Sequence, residues 1–299
     1  MAKASAGTLI IIGGHEEKEG ARKILNTVKE RLDGGKLVIA TVATSVPEEV
    51  AAEYTTVFTE LGVKKIDVLD IRARPDAYLP ENIDKLKDAS MVFFTGGDQL
   101  RITAHLGDSP IYTRIQEIYE HGGTIVGTSA GASVMSETMM VSGAQDESLT
   151  IGSLSMAPGF GLLKGVVIDQ HFAERGRIGR LIAAVAHNPR NLGIGIDENT
   201  AIFVDHKNCC TVIGDGGVYV VDGTGISDTN LAEGALDEVL SCFDLRLHVL
   251  KVGQLYDINQ RRPYKAADQL VMPVIVPGGD DLNSEAHRRA LARNGDGPE

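Results

Sequence analysis

The sequence predicts an α/β protein built on a mostly parallel, doubly wound sheet, and three observations lead to this fold class. Short runs of β-branched and apolar residues alternate with longer segments of helical periodicity in the first half of the chain, as in strands covered by helices. Glycine-rich turns follow several of these runs. With 43% hydrophobic residues, the 299-residue chain can also bury the core that such a sheet needs.

The first half of the chain predicts five strands, because each is a short apolar run that ends at a turn signal. They cover residues 8–12, 36–43, 65–69, 91–95 and 124–127. Helical periodicity predicts helices between them, over residues 17–32, 47–61, 81–87 and 111–121. Pro47 and Pro80 stand where the first turn of a helix tolerates proline.

Strand signals become denser in the second half of the chain. Strands are predicted at residues 166–169, 192–196, 201–204, 211–213 and 218–221, with one helix at residues 177–187. We expect these strands to extend the same sheet and to add antiparallel hairpins. The chain length also permits two domains, but the continuous pattern favours a single catalytic domain over residues 1–276, followed by a polar C-terminal extension over residues 277–299.

Composition excludes several classes of function. Lysine and arginine total 29 against 41 acidic residues, and the resulting net charge of −12 disfavours nucleic acid and anionic membranes as partners. No apolar run reaches the roughly 18 residues of a membrane span, so we expect a cytoplasmic protein. Cys209, Cys210 and Cys242 form neither a disulfide framework nor a paired metal-ligand spacing.

The turns after predicted strands are the candidate functional positions, because ligands collect beyond the carboxyl ends of the strands in open α/β sheets. Residues 127–131 read Gly-Thr-Ser-Ala-Gly, the G-x-S-x-G pattern of a strand-to-helix elbow that exposes a nucleophilic serine, here Ser129. A turn whose serine merely caps a helix is the alternative. The first turn, with Gly13, Gly14 and His15, matches neither a dinucleotide loop nor the H-E-x-x-H metal motif and is interpreted as structural.

A serine nucleophile needs a base and an acid that orients the base. Among eight histidines, His171 is the best candidate because it closely follows a predicted strand. Glu198 follows the strand at residues 192–196 and is the preferred acid, with its neighbour Asp197 as a rival. The order serine, histidine, acid differs from that of the α/β-hydrolases, which disfavours an ordinary lipase or esterase.

Charged groups flank the predicted base. Asp169 and Gln170 precede His171, while Arg177 and Arg180 are three residues apart and share a helix face. Arginine binds carboxylates in a bidentate fork, so this face suits a substrate with an acidic group. A solvated helix surface is the alternative interpretation.

Five motifs in order give the chain a specific resemblance. It resembles the serine peptidases of the cyanophycinase and peptidase E family from about Gly7 to Tyr264, with cyanophycinases as the nearer match. These motifs are Gly13-Gly14, Thr95-Gly96-Gly97-Asp98-Gln99, Gly127-Thr128-Ser129-Ala130-Gly131, Asp169-Gln170-His171-Phe172 and Gly193-Ile194-Gly195-Ile196-Asp197-Glu198.

The resemblance implies a three-layer α/β/α sandwich related to class I glutamine amidotransferases, with serine in place of their cysteine. It implies Ser129 as nucleophile, His171 as base and Glu198 as acid. It further implies an oxyanion hole formed by the amides of Gly97 and Ala130. The substrate contacts that it implies are Gln99, Asp169, Gln170, Arg177 and Arg180. His15 stands where the family more often has a small residue.

The activity implied by the resemblance is hydrolysis of cyanophycin, a polyaspartate with arginine on its β-carboxyls, to β-aspartyl-arginine dipeptides. We expect no cofactor and no metal, and a homodimer is expected from the family. Three rivals are an aspartyl dipeptidase like peptidase E, a catalytically silent binding module on the same fold and a flavodoxin-like nucleotide-binding protein.

Overall fold

The computed structural model describes residues 7–142 and 149–264 of the chain. The elements of its first half are β1 (Thr8–Ile12), α1 (Lys23–Leu32), β2 (Lys36–Ala40), α2 (Pro47–Glu60), β3 (Ile66–Leu69), a 3-10 helix (Arg74–Tyr78), α3 (Pro80–Lys85), β4 (Ala89–Phe94), α4 (Gln99–Leu106), α5 (Pro110–Glu120), β5 (Thr124–Thr128) and α6 (Ala130–Ser133). Those of its second half are β6 (Thr138–Ser142), β7 (Ser155–Pro158), β8 (Val166–Gln170), α7 (Ile178–His187), β9 (Leu192–Ile196), β10 (Thr200–Val204), β11 (Cys209–Gly214), β12 (Val218–Asp222), β13 (Arg246–Leu250), β14 (Leu255–Asp257) and β15 (Arg262–Tyr264).

A nine-stranded sheet forms the centre of the fold, in the order β15-β14-β11-β10-β1-β5-β4-β2-β3. The strands β1, β5, β4, β2 and β3 are all parallel to their neighbours within this group. From β10 to β15 the neighbours run antiparallel. The predicted α/β class is therefore confirmed, as is the predicted combination of a parallel sheet with antiparallel hairpins.

Helices cover both faces of the parallel strands, because alternate strand residues point to opposite sides. On one face Ile10 and Ile12 of β1 pack in a cluster with residues of α1 and α2. On the other face Leu9 and Ile11 belong to a larger cluster with residues of α4 and α5. These four side chains of β1 are fully buried, which explains why a continuous apolar run predicts this strand correctly.

The second half of the chain departs from the prediction of one continuous sheet. Only β10, β11, β14 and β15 extend the main sheet, whereas β8, β9, β12 and β13 form a separate four-stranded sheet in the order β13-β12-β9-β8. One edge of β1 pairs with β5 and the other pairs with β10, so no edge of β1 remains for β8 or β9. The expectation that all of these strands extend the first sheet is wrong.

The first predicted helix also begins later than expected. Residues 17–22 are non-helical and contain a bend and a turn, and α1 starts only at Lys23. The Glu17 carboxylate accepts a hydrogen bond from the Arg22 amide at 2.9 Å, and Arg22 has a left-handed backbone with φ of 47°. A local side-chain bond has replaced the first helical turn.

Three further expectations concern the chain as a whole. No helix within residues 7–142 and 149–264 combines the length and the apolar character needed to cross a bilayer. Cys209, Cys210 and Cys242 are free thiols. The predicted C-terminal extension, residues 277–299, lies outside the described residues.

Candidate active site

Ser129 lies in a tight turn between β5 and α6, with φ of 53° and ψ of −110°. Small neighbours make this turn possible. A Cβ atom on Gly127 would lie 2.2 Å from the carbonyl oxygen of Gly131, and one on Gly131 would lie 2.5 Å from the carbonyl oxygen of Phe94. A backbone conformation this uncommon for serine costs about 1–3 kcal/mol and is typical of functional positions.

Three predicted site residues form a continuous hydrogen-bonded series. The Ser129 Oγ lies 2.9 Å from the His171 Nε2, and the His171 Nδ1 lies 2.6 Å from the Glu198 Oε1. These residues follow β5, β8 and β9, so the series joins the carboxyl ends of strands in both sheets. The structure brings the predicted nucleophile, base and acid together.

The rival acid, Asp197, has a different set of partners. Its carboxylate accepts hydrogen bonds from the amides of Ala173 and Gly217, each at 2.9 Å. Asp197 is buried and connects the loop after His171 to the segment before β12. Of the two candidate acids, Glu198 is the one whose carboxylate contacts the His171 ring.

Burial and hydrogen bonding act in opposite directions on the histidine and its acid. Burial lowers the pKa of His171 below its ordinary value, although the hydrogen bond that His171 donates to Glu198 acts to raise it. Burial would raise the pKa of Glu198, but hydrogen bonds from His171 and His15 hold that pKa below its ordinary value. Near neutral pH the arrangement is therefore a neutral imidazole beside an ionised carboxylate.

The first glycine turn supports all three members of the series through its carbonyl groups. The Ile12 carbonyl accepts a hydrogen bond from the Ser129 amide at 3.1 Å, and the Gly13 carbonyl accepts one from the His171 amide at 2.8 Å. The Gly14 carbonyl accepts one from the amide after Glu198, that of Asn199, at 2.9 Å. These backbone contacts hold the three site residues in position relative to one another.

Two backbone amides beside Ser129 are the predicted oxyanion donors, those of Gly97 and Ala130. Gly97 needs to be glycine, since its φ is 142° and a Cβ atom would lie 2.2 Å from the Ala43 carbonyl oxygen. A Cβ atom on the preceding Gly96 would contact the Ser129 Cβ at 3.4 Å, so this turn adjoins the nucleophile. Within the described part of the chain, neither predicted donor amide has a protein acceptor.

Asp169, Gln170, Arg177 and Arg180 are predicted substrate contacts, and the structure joins them in one buried network. Arg180 bonds to both carboxylate oxygens of Asp169, with its Nε 2.6 Å from Oδ2. Arg177 donates to Asp169 and to Gln170 through a single terminal nitrogen. The fork of Arg180 therefore holds an internal carboxylate, a pairing that the helix-face argument from sequence did not predict.

Gln99, the remaining predicted substrate contact, is half-buried at the start of α4. Its amide nitrogen donates to the carbonyl oxygen of Met140 in β6 at 2.8 Å. Asp98 caps the same helix by accepting a hydrogen bond from the Leu100 amide at 2.8 Å. Gln99 lies two residues beyond Gly97, and its known contact is to the β6 backbone.

Two contacts of carboxylates near the site were not predicted from the sequence. The exposed His15 ring contacts the Glu198 carboxylate through Nδ1 at 2.8 Å, opposite the oxygen that faces His171. The buried Glu16 carboxylate accepts hydrogen bonds from the hydroxyls of Thr128 and Tyr54. Burial, together with Glu16, raises the pKa of Tyr54 well above its ordinary value, so Tyr54 remains a donor. The position of His15 and Glu16 directly after Gly13 and Gly14 is the signal that the sequence offers for them.

Together, an α/β fold and a serine, histidine and carboxylate in hydrogen-bonded series define the class of serine hydrolases. A family model described as peptidase family S51 matches residues 9–212. A cyanophycinase of Trichormus variabilis is 37% identical over 271 residues, which is 90% of this chain and 91% of that protein. A cyanophycinase of Synechococcus elongatus is 35% identical over 270 residues, covering 89% and 83% of the two chains.

The chain belongs to peptidase family S51, and membership of this family makes it a serine-type peptidase. Solved structures agree on the fold. A peptidase from an acI-B1 actinobacterium superposes with a TM-score of 0.60 at 23% identity, covering 86% of this chain and 98% of the other. A putative peptidase E of Listeria monocytogenes has a TM-score of 0.51 at 18% identity, covering 71% and 100%.

Proposed function

We propose that the protein hydrolyses cyanophycin to β-aspartyl-arginine dipeptides, with Ser129, His171 and Glu198 as its catalytic triad. The observation that carries the proposal is the series of two hydrogen bonds, 2.9 and 2.6 Å long, that joins these three side chains. Relatives named cyanophycinase that match about nine-tenths of the chain support the choice of substrate.

In the proposed reaction, Ser129 Oγ attacks the scissile carbonyl carbon while His171 Nε2 removes the hydroxyl proton. Glu198 keeps the other proton of the imidazole on Nδ1 and stabilises the imidazolium that forms. The proton on Nε2 then passes to the leaving amine as the acyl-enzyme forms. Water, activated by the same histidine, releases the acyl group and restores Ser129.

The amides of Gly97 and Ala130 are proposed to stabilise the tetrahedral oxyanion. Both belong to turns that adjoin Ser129, and neither has a protein acceptor among the described residues. Two neighbouring amides differ in this respect, because Ser129 donates to Ile12 and Asp98 donates to Ala43. Removing one oxyanion donor from a serine protease typically costs about 10²–10³-fold in turnover.

The arginines beside the site are proposed to bind a carboxylate of the substrate. Asp169 supplies one negative charge to two guanidinium groups, so this trio retains one positive charge. Arg177 uses one terminal nitrogen and Arg180 uses Nε and one terminal nitrogen. Each arginine therefore has a second terminal nitrogen that bonds to none of the described residues. A substrate carboxylate would pair with these two nitrogens, with Gln99 and Gln170 at the edges of the same region.

Three further parts of the proposal come from the sequence alone. The catalytic domain is residues 1–276 and the extension over residues 277–299 is dispensable for turnover. The proposed location is the cytoplasm, which accords with three free cysteines. The proposed assembly is a homodimer that acts without cofactor or metal.

The test is incubation of the purified protein with insoluble cyanophycin, followed by mass spectrometry of the soluble products. The proposal requires β-aspartyl-arginine as the main product from wild type. A parallel reaction with α-linked aspartyl dipeptides addresses the peptidase E alternative. Preferential cleavage of those dipeptides would overturn the substrate assignment, and inactivity of the folded protein on both would favour a silent binding module.

A further inference from the structure

Two histidines, not one, contact the carboxylate of the proposed triad. Glu198 Oε1 lies 2.6 Å from the His171 Nδ1, and Oε2 lies 2.8 Å from the His15 Nδ1. The two imidazole rings are 5.0 Å apart between centroids and are inclined at 77°. One potential ligand atom from each of the three side chains lies within 4.8 Å of the other two.

From this geometry we propose that His15, His171 and Glu198 form an inhibitory binding site for Zn²⁺. Two imidazoles and one carboxylate are a ligand set that zinc accepts, with a fourth position left for water. Such a donor set favours zinc over magnesium or calcium, which prefer oxygen ligands. The ion acts here as a regulator of the enzyme and supplies nothing to the reaction.

The three potential ligand atoms lie within 4.8 Å of one another, so zinc binding requires the exposed side chains to move. Zinc bond lengths of about 2.0–2.2 Å place the donors of a tetrahedral site roughly 3.3 Å apart. The two histidine–carboxylate contacts are shorter than this separation, so the carboxylate must move outward by about half an ångström. His15 is 72% exposed and Glu198 is 25% exposed, so both can adjust and the ion can enter from solvent. His171, at 5% exposure, is the fixed ligand.

Zinc at this site would block catalysis through the tautomer of His171. A neutral imidazole that binds a metal through Nδ1 must carry its proton on Nε2. That proton would then point at the Ser129 Oγ, 2.9 Å away, so Nε2 would donate to the hydroxyl and could no longer accept its proton. Zinc would also withdraw Glu198 from its hydrogen bond with His171. The inhibition rests on the proposed function, whereas metal binding does not.

Direct binding is measured on the Ser129→Ala protein, which keeps all three ligands and hydrolyses nothing. Isothermal titration with Zn²⁺ after removal of metals should give one ion per chain. His15→Asn in the same background should weaken zinc binding at least roughly tenfold. Losing a residue that only hydrogen-bonds to a metal ligand already costs about this much affinity. Asparagine tolerates the left-handed backbone of His15, whose φ is 47°, so the variant retains the local fold. His206→Ala, another exposed histidine, serves as the matched control.

Inhibition is measured on wild type with a small activated ester. Zn²⁺ should lower the rate reversibly, chelator should restore it, and Mg²⁺ should have no effect. His15→Asn should raise the half-inhibiting zinc concentration by the same factor as it weakens binding. Binding that His15→Asn leaves unchanged, or that His206→Ala weakens equally, would overturn the proposal. Zinc binding without cyanophycin cleavage would refute the proposed function alone, and cleavage without zinc binding would refute this inference alone.

Discussion

Gly14→Ala should disable the enzyme by displacing the histidine base. A Cβ atom at this position would lie 2.3 Å from His171 Cε1 and 2.6 Å from Nε2. Carbon atoms in contact normally stay at least about 3.5 Å apart, so the ring must retreat by roughly 1.2 Å. A retreat of that size breaks or misaligns the 2.9 Å hydrogen bond to Ser129. Misplacement by about 1 Å costs on the order of 10²-fold in rate.

The assay for this variant is kcat/KM on cyanophycin and on a small activated ester, and both values should fall about a hundredfold. Gly14 also has φ of +106°, so alanine adds backbone strain of about 1–3 kcal/mol. Gly62→Ala is the matched control, because Gly62 has φ of +89° and no atom within 4 Å of the added Cβ. It should lose stability with unchanged kinetics. A folded Gly14→Ala protein with kcat/KM within threefold of wild type would refute the geometry of the site.

Three further predictions concern the base, its acid and the buried arginine. Since burial lowers the pKa of His171 and its neutral form is the base, kcat/KM should fall with decreasing pH with a midpoint below pH 6.5, and a midpoint above that value would contradict the assignment. Glu198→Gln removes the negative charge that helps to raise this pKa, so the midpoint should move further down while the maximal rate falls; an unchanged profile would exclude Glu198 as the acid. Arg180→Lys loses one of two bonds to Asp169 and should reduce the free energy of unfolding by about 1–3 kcal/mol in urea titration. Arg74→Lys, at an exposed arginine, is its control. Equal stabilities of the two variants would contradict the stabilising role of the two bonds between Arg180 and Asp169.

The elements that sequence predicts well are those whose burial is uniform along the segment. The strands β1 and β9 begin and end at the predicted residues because every side chain in each is buried. The pairing of strands is a different matter, since β8 and β9 join a second sheet while β10 pairs with the edge of β1. That choice depends on partners far apart in the chain, which local patterns do not report.

The candidate site divides in the same way. Ser129 stands out because an elbow between strand and helix needs small residues at fixed offsets, and the sequence displays them. The contact of His15 with Glu198 joins positions 183 residues apart and follows no motif. The ion pair between Arg180 and Asp169 likewise depends on how α7 packs beside β8. The sequence therefore predicts arginines that bind a carboxylate, but it does not predict that Asp169 provides one.

The central claim is that Ser129 attacks the substrate, and the most direct test is the rate of dipeptide release from cyanophycin by Ser129→Ala. The substitution removes the nucleophilic oxygen and leaves the contact between His171 and Glu198 in place. We expect a loss of at least roughly a thousandfold with an unchanged melting temperature. Release by the folded alanine protein at a rate within tenfold of wild type would contradict it.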